Sequence, residues 1–121
     1  MMPYERLHAW RRSHELALAT YESTRTWPVE ERYGLTVQAR RAAVSVAANL
    51  AEGSARLGGR ELRRFADISL GSLSELSCLL RIARDLKYLS PEEFARLDEM
   101  RNSAGKVVLG LARAVGVPSS R

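Results

Sequence analysis

Between Leu35 and Ala51 the chain carries only two charged residues, Arg40 and Arg41, while Ala39, Ala42, Ala43, Val46, Ala47 and Leu50 recur at the i, i+3, i+4 spacing of one helix face. That pattern predicts a helix buried among others. A second line, Gln38, Arg41, Ser45, Asn49 and Glu52, steps by three, four, four and three, so five polar groups share another line of the same helix. Each polar group buried without a partner costs about 1 to 3 kcal/mol. The seam is therefore assigned mainly to structure, as a hydrogen-bonded network within a bundle or between subunits. A seam facing solvent or a ligand is the alternative. Alanine also occupies more of this helix than one bundle core requires, which points to a second neighbour.

Three further helical patterns flank it, so that helices are expected at about 5–27, 35–53, 59–88 and 91–115. In the first, Leu7, Trp10, Ala17, Tyr21 and Thr24 fall on one side, and its aromatic residues are read as core. It ends near Trp27-Pro28, because proline disfavours helical geometry in the residue before it, and a connector leads to Gly34. Gly53 to Gly59 reads as a stop and turn. The third helix has a bundle-facing seam of Leu62, Phe65, Ser69, Leu73, Leu76, Leu80 and Ala83. Gly71 and Ser72 within it suggest close backbone approach by a neighbour. Ser90-Pro91-Glu92-Glu93 is a strong helix start, with an N-cap serine and proline in the first turn. The fourth seam runs Phe94, Leu97, Arg101, Ala104, Val108, Leu111 and Val115, with Met100 filling the core beside Arg101 and the arginine head in solvent. Gly116-Val117-Pro118 should end it, leaving Ser119 to Arg121 loose. Four helical patterns without strand alternation or repeats give an all-α, antiparallel up-down four-helix bundle as the single domain of residues 1–121.

A chain of 121 residues buries enough surface for an unaided core. The lone Cys78 has no partner for a disulfide and reads as a half-buried structural thiol. No apolar run approaches a membrane span or follows a basic start, which places the protein in the cytoplasm. Lys and Arg number 19 against 14 Asp and Glu, and lysine occurs only at Lys87 and Lys106. Arginine suits bidentate contact with phosphate or carboxylate. Genomic base composition explains the bias equally well.

Catalytic and metal patterns fail on inspection. A di-iron bundle needs two Glu-x-x-His pairs and two more glutamates, whereas Glu5 to His8 supplies one pair. His8 and His14 are six apart and lie on different helix faces. The run from Gly53 to Arg60 loosely resembles a phosphate-binding loop but lacks the Lys-[Ser/Thr] ending and follows a helix. No nucleophile elbow occurs. The expectation is a protein without catalytic residues, metal or cofactor. The positive feature is the cluster Arg56, Arg60, Arg63 and Arg64 around the start of the third helix, where free N–H groups favour anions. These arginines, with Arg40 as a less central contributor, are the candidate nucleic-acid-binding residues. Pairing with Glu52, Asp67 or a neighbouring subunit is the competing reading. Without an RNA-binding module signature, any contact would be to backbone and shape.

The stretch GLTVQARRAAVSVAANLAEGSAR resembles the pattern G-L-x-x-Q-x-R-R-A-x-x-S-[IV]-x-x-N-[IL]-A-E-G of the 23S rRNA-intervening sequence family of four-helix-bundle proteins. The resemblance continues through Arg64-Phe65, Leu70 to Leu76 and Asp85 to Leu89, and departs at Ala47, where many members carry proline. It implies a bacterial four-helix bundle, usually a homopentamer, without known catalytic activity. It also implies kinship with the accessory variability proteins of diversity-generating retroelements, which bind a reverse transcriptase and RNA. The combined expectation is a non-enzymatic, oligomeric adaptor or scaffold associated with RNA. A purely structural homo-oligomer that binds another protein is the alternative.

Overall fold

A computed structural model describes residues 1–116, so the expected stop at Val117-Pro118 and the tail Ser119 to Arg121 lie outside the described residues. Four helices form, α1 (His8–Thr24), α2 (Leu35–Ala55), α3 (Gly59–Asp85) and α4 (Pro91–Gly116), with short 3-10 turns at Pro3–Arg6 and Val29–Glu31. Among the described residues there is no strand. Consecutive helices pack on one another, and α4 closes the bundle against α1. Side-chain ties show that α3 runs antiparallel to both α2 and α4. Ser69 donates to the carbonyl of Val46 at 2.8 Å while Gly53 lies against Phe65. Arg81 reaches Asp98 and Arg63 reaches the carbonyl of Ala112. Arg40 of α2 bonds Thr24 at the end of α1, and Ser23 bonds Glu93 at the start of α4.

The helix ends follow from local chemistry. α1 starts later than its periodicity suggests, because Leu7 is extended (φ −78°, ψ 122°) after the proline-led turn. At the start of α2 the Glu31 carboxylate accepts the amide of Leu35 at 3.0 Å, a cap that sequence reading missed. The α2–α3 turn passes through Gly58 at φ +92°, where a side chain would be strained. At Gly59 an added Cβ would stand 2.7 Å from the carbonyl oxygen of Val115. Ser90 accepts the amide of Glu93 at 3.0 Å, with Pro91 opening α4. The Glu93 carboxylate, however, turns to Arg96 and Ser23 and does not return to the cap. α2 runs unbroken through Ala47.

The core is filled by Leu16, Leu50, Leu76, Leu80, Leu97 and Val108, all fully enclosed, around the alanines of α2. The expected seams of α3 and α4 face it. The face of α1 matches expectation only at Ala17 and Thr24: its buried residues are Ala9, Ser13, Leu16, Ala17, Thr20, Ser23 and Thr24, while Trp10 is half-buried and Tyr21 is 41% exposed. Three of the hydroxyls are satisfied within the helix, Ser13 by the carbonyl of Ala9, Thr20 by that of Leu16 and Thr24 by that of Thr20, each at 2.8 Å. They therefore pack as small apolar groups. Of the aromatic residues in this half of the chain, Trp27 is in the core, 6% exposed and 6.0 Å from the Tyr88 ring. Arg101 also departs from expectation. Its side chain is 18% exposed and its head is bound to Asp98 at 2.9 Å instead of standing in solvent.

Asp98 joins α3 to α4 by accepting from both Arg81 and Arg101. Partial burial by itself would raise its pKa, but hydrogen bonds from Arg101 and Arg81 outweigh that and hold the carboxyl below its ordinary value. A lowered folded-state pKa means a contribution present above the unfolded carboxylate pKa and lost as pH falls through the folded one. Asp98→Asn should therefore cost about 1 kcal/mol near neutrality, and the deficit should shrink in acid below the folded pKa. Urea titrations of both proteins across that range check it; a deficit independent of pH contradicts the assignment.

The close approach expected at Gly71 occurs elsewhere. Within the chain Gly71 is exposed, and a Cβ there would meet nothing within 4 Å, whereas at Gly53 it would stand 2.8 Å from the Cβ of Phe65 and 3.1 Å from Leu62. Alanine should act oppositely at the two sites. Gly71→Ala should stabilise the chain by up to about 1 kcal/mol through helix propensity. Gly53→Ala gains the same propensity but forces α2 and α3 apart, with a net loss of about 1 to 2 kcal/mol. Denaturant midpoints of the two variants give the comparison, and matching gains would disprove the contact at Gly53.

Candidate nucleic-acid interface

The predicted arginine cluster does assemble around the α2–α3 turn, but most of it is already occupied. Arg56 pairs with Glu52 at 2.7 Å and Arg64 with Glu61 at 3.2 Å, and both guanidiniums lie over the Phe65 ring, at 5.3 and 4.5 Å from its centroid. Arg63 meets Asp67 at 3.3 Å and donates to the carbonyl of Ala112 at 3.2 Å. Arg60 is exposed and, among the described residues, has no carboxylate partner. All three pairs are a third or more exposed on at least one side, so each holds its arginine only weakly and a phosphate can compete for it. The first amides of α3 have no side-chain cap, which adds donors at the same end.

Arg40 does not belong to this cluster. It lies 16 residues before Arg56, about 24 Å along α2, at the opposite end of the bundle. There its Nε donates to the Thr24 hydroxyl at 2.8 Å, an Nη donates to the carbonyl of Tyr21 at 3.5 Å, and the guanidinium sits 4.6 Å above the Tyr21 ring. Around it opens a groove of about 570 Å³ lined by Arg32, Arg40, Arg41, Thr36, Val37 and Val44 among others, and by no carboxylate. A smaller neighbouring groove shares Arg32, Thr36 and Arg40 and adds Arg25 and Trp27. Sequence reading missed Arg25 and Arg32 and placed Arg41 in the polar seam. The signal was the spacing of arginines across the connector before α2, which carries no helical periodicity.

The seam itself divides in two. Asn49 donates to the carbonyl and hydroxyl of Ser45, at 2.8 and 2.9 Å, and Ser72 of α3 donates to the same Ser45 hydroxyl at 2.9 Å. Gln38, Arg41 and Glu52 are exposed. Glu52 holds Arg56, and Arg41 lines the arginine groove. Beside that groove, the outer surface of α1 and α2 forms an apolar trough lined by Trp10, Leu18, Tyr21, Val44, Ala48 and Ala51. Leu18 is 59% exposed and Val44 41%. His14 stacks on Trp10 with ring centroids 4.7 Å apart. Cys78 is exposed and not half-buried as expected. Among the described residues no three His, Cys, Asp or Glu side chains converge as a metal set, and no described helix is long and apolar enough to cross a membrane.

Comparison with known proteins places this geometry in context. The family model described as 23S rRNA-intervening sequence protein matches residues 5–110, nearly all of the described chain. No curated protein matches.

The contacts separate the clustered arginines by what they do for the fold. Arg63→Ala removes a bond to the α4 backbone as well as an ion pair, and should lower stability by about 1 kcal/mol. Arg60→Ala touches neither and should stay within about 0.5 kcal/mol of the parent. Thermal melts of the two variants decide it, and an equal loss at Arg60 would show that this side chain is engaged.

Proposed function

The chain belongs to the 23S rRNA-intervening sequence protein family, and from that membership we propose that it is a self-assembling helical bundle that associates with RNA as an adaptor or scaffold, without catalysis of its own. The observation that carries this reading is the outer face of α1 and α2. Leu18, Val44 and Ala48 lie outside the core and line an apolar trough together with Trp10, which packs on the core's edge, and an arginine groove continues from it through the shared Tyr21 and Val44. A trough of that kind on an otherwise charged surface suits another protein surface, and arginines without carboxylates suit phosphates. A second copy is the first occupant this reading assigns to the trough. Five copies in a closed ring is the number that the resemblance implies, and a closed ring follows when one heterologous contact repeats with a closing rotation. A reverse transcriptase is the protein partner implied by the same resemblance. The purely structural oligomer is favoured by a different observation, the pairing of Arg56, Arg63 and Arg64 with carboxylates of their own helices.

Light scattering after gel filtration should give several times the 13.5 kDa chain mass, and Leu18→Glu with Val44→Glu should reduce it to one chain mass with helicity intact. A parent that is monomeric at micromolar concentration defeats the assembly reading. Purified protein should carry absorbance at 260 nm that nuclease removes, and should bind single-stranded RNA with an affinity falling steeply in salt. Four engaged phosphates per subunit correspond to a log–log slope of roughly −3. Protein free of nucleic acid and indifferent to added RNA would leave the structural oligomer.

A further inference from the structure

We propose that the groove between the end of α1 and the first turns of α2, and not the arginine cluster at the α2–α3 turn, is the principal phosphate site for single-stranded RNA. The inference rests on the RNA reading above and assigns it a place. The cluster's Arg56, Arg63 and Arg64 each have a carboxylate of their own helix within 3.3 Å. In the groove the situation is reversed. Arg32 and Arg41 are exposed, and neither they nor Arg40 have a carboxylate partner among the described residues. Of the nearby acids, Glu22 holds Arg25 at 3.0 Å, and Glu31 accepts the Leu35 amide at 3.0 Å and the Tyr88 hydroxyl at 2.9 Å, while the exposed Glu30 lines neither groove.

Arg40 is held in place by its bonds to Thr24 and Tyr21 and by the Tyr21 ring. A guanidinium fixed by neutral partners loses little further freedom on meeting an anion and keeps its full charge. The first turn of α2 adds to this. Its Leu35 amide is taken by Glu31, but the amides of Thr36 and Val37, both lining the groove, have no partner within the helix. Trp27, 6% exposed, forms part of the wall of the adjoining groove. At about 570 Å³ the main groove has the size of a small-ligand site, enough for one nucleotide, with Val37 offering apolar surface to the sugar or base.

The test is fluorescence anisotropy with a labelled single-stranded RNA of about a dozen nucleotides. It compares the parent, Arg32→Gln with Arg41→Gln, and Arg60→Gln with Arg63→Gln. Both double variants remove two positive charges, so a general field effect would weaken them equally. The groove variant should lose about tenfold or more in affinity, and the cluster variant no more than about threefold. Cross-linking of a 4-thiouridine-labelled RNA to unmodified protein should fall within residues 21–45, which tests the same point without a variant. Equal weakening of the two variants, or cross-links confined to the α2–α3 turn, overturns the groove assignment while leaving the RNA reading in place. A parent that binds no RNA overturns both.

Discussion

How closely the other helices can approach α2 sets the geometry of the whole bundle. Ala39, Ala42, Ala43 and Ala47 give it a shallow face, and Gly53 removes even the methyl group where Phe65 crosses. That closeness lets Ser69 reach the Val46 carbonyl across the helix pair at 2.8 Å. The bulk needed to fill the interior comes from the neighbours instead, in Leu16, Leu76, Leu80 and Leu97. Small residues on one side and leucines on the other are a complementary pairing of the kind that close packing requires. The same helix presents its remaining faces outward, where alanine and valine line the trough and arginines line the groove.

The seams of α3 and α4 were legible in the sequence because apart from Ser69 and Arg101 they are apolar and keep the three-and-four spacing. The pairing of Arg56 with Glu52 and of Arg63 with Asp67 was legible for a related reason, since helix geometry alone brings residues four apart together. α1 was not legible. Its interior face gives a weak hydropathy pattern because Ser13, Thr20, Ser23 and Thr24 alternate there with Ala9, Leu16 and Ala17. Its conspicuous Trp10, Leu18 and Tyr21 lie partly or largely outside. Periodicity weighs a side chain by its chemistry, whereas burial depends on whether its polar atom is satisfied, and here the preceding turn satisfies it. The arginine groove escaped for another reason: Arg25, Arg32 and Arg40 meet only through the course of the connector.

The net charge of +5 is likewise unevenly available. Arg25, Arg56, Arg64 and Arg96 each neutralise a carboxylate three or four residues away, and Arg81 and Arg101 share Asp98. Such pairs contribute little to stability at the surface, but they decide which cations an approaching polyanion meets without competition. A basic isoelectric point therefore says less about this surface than the positions of the few arginines that have no neighbouring acid.

The hydroxyls of α1 carry a consequence for motion. Ser69 bonds from α3 to the backbone of α2 and so fixes the register of that pair, whereas Ser13 and Thr20 return their bonds to α1 itself and specify no partner. What ties α1 to its neighbours by polar contacts is concentrated near its end, in Arg40 to Thr24 and Tyr21 and in Ser23 to Glu93. Lifting α1 away would strand few buried donors, because most leave with their acceptors. Opening energies within a fold depend in part on such differences, so the polar contacts of α1 restrain it mainly at the end where the arginine groove lies.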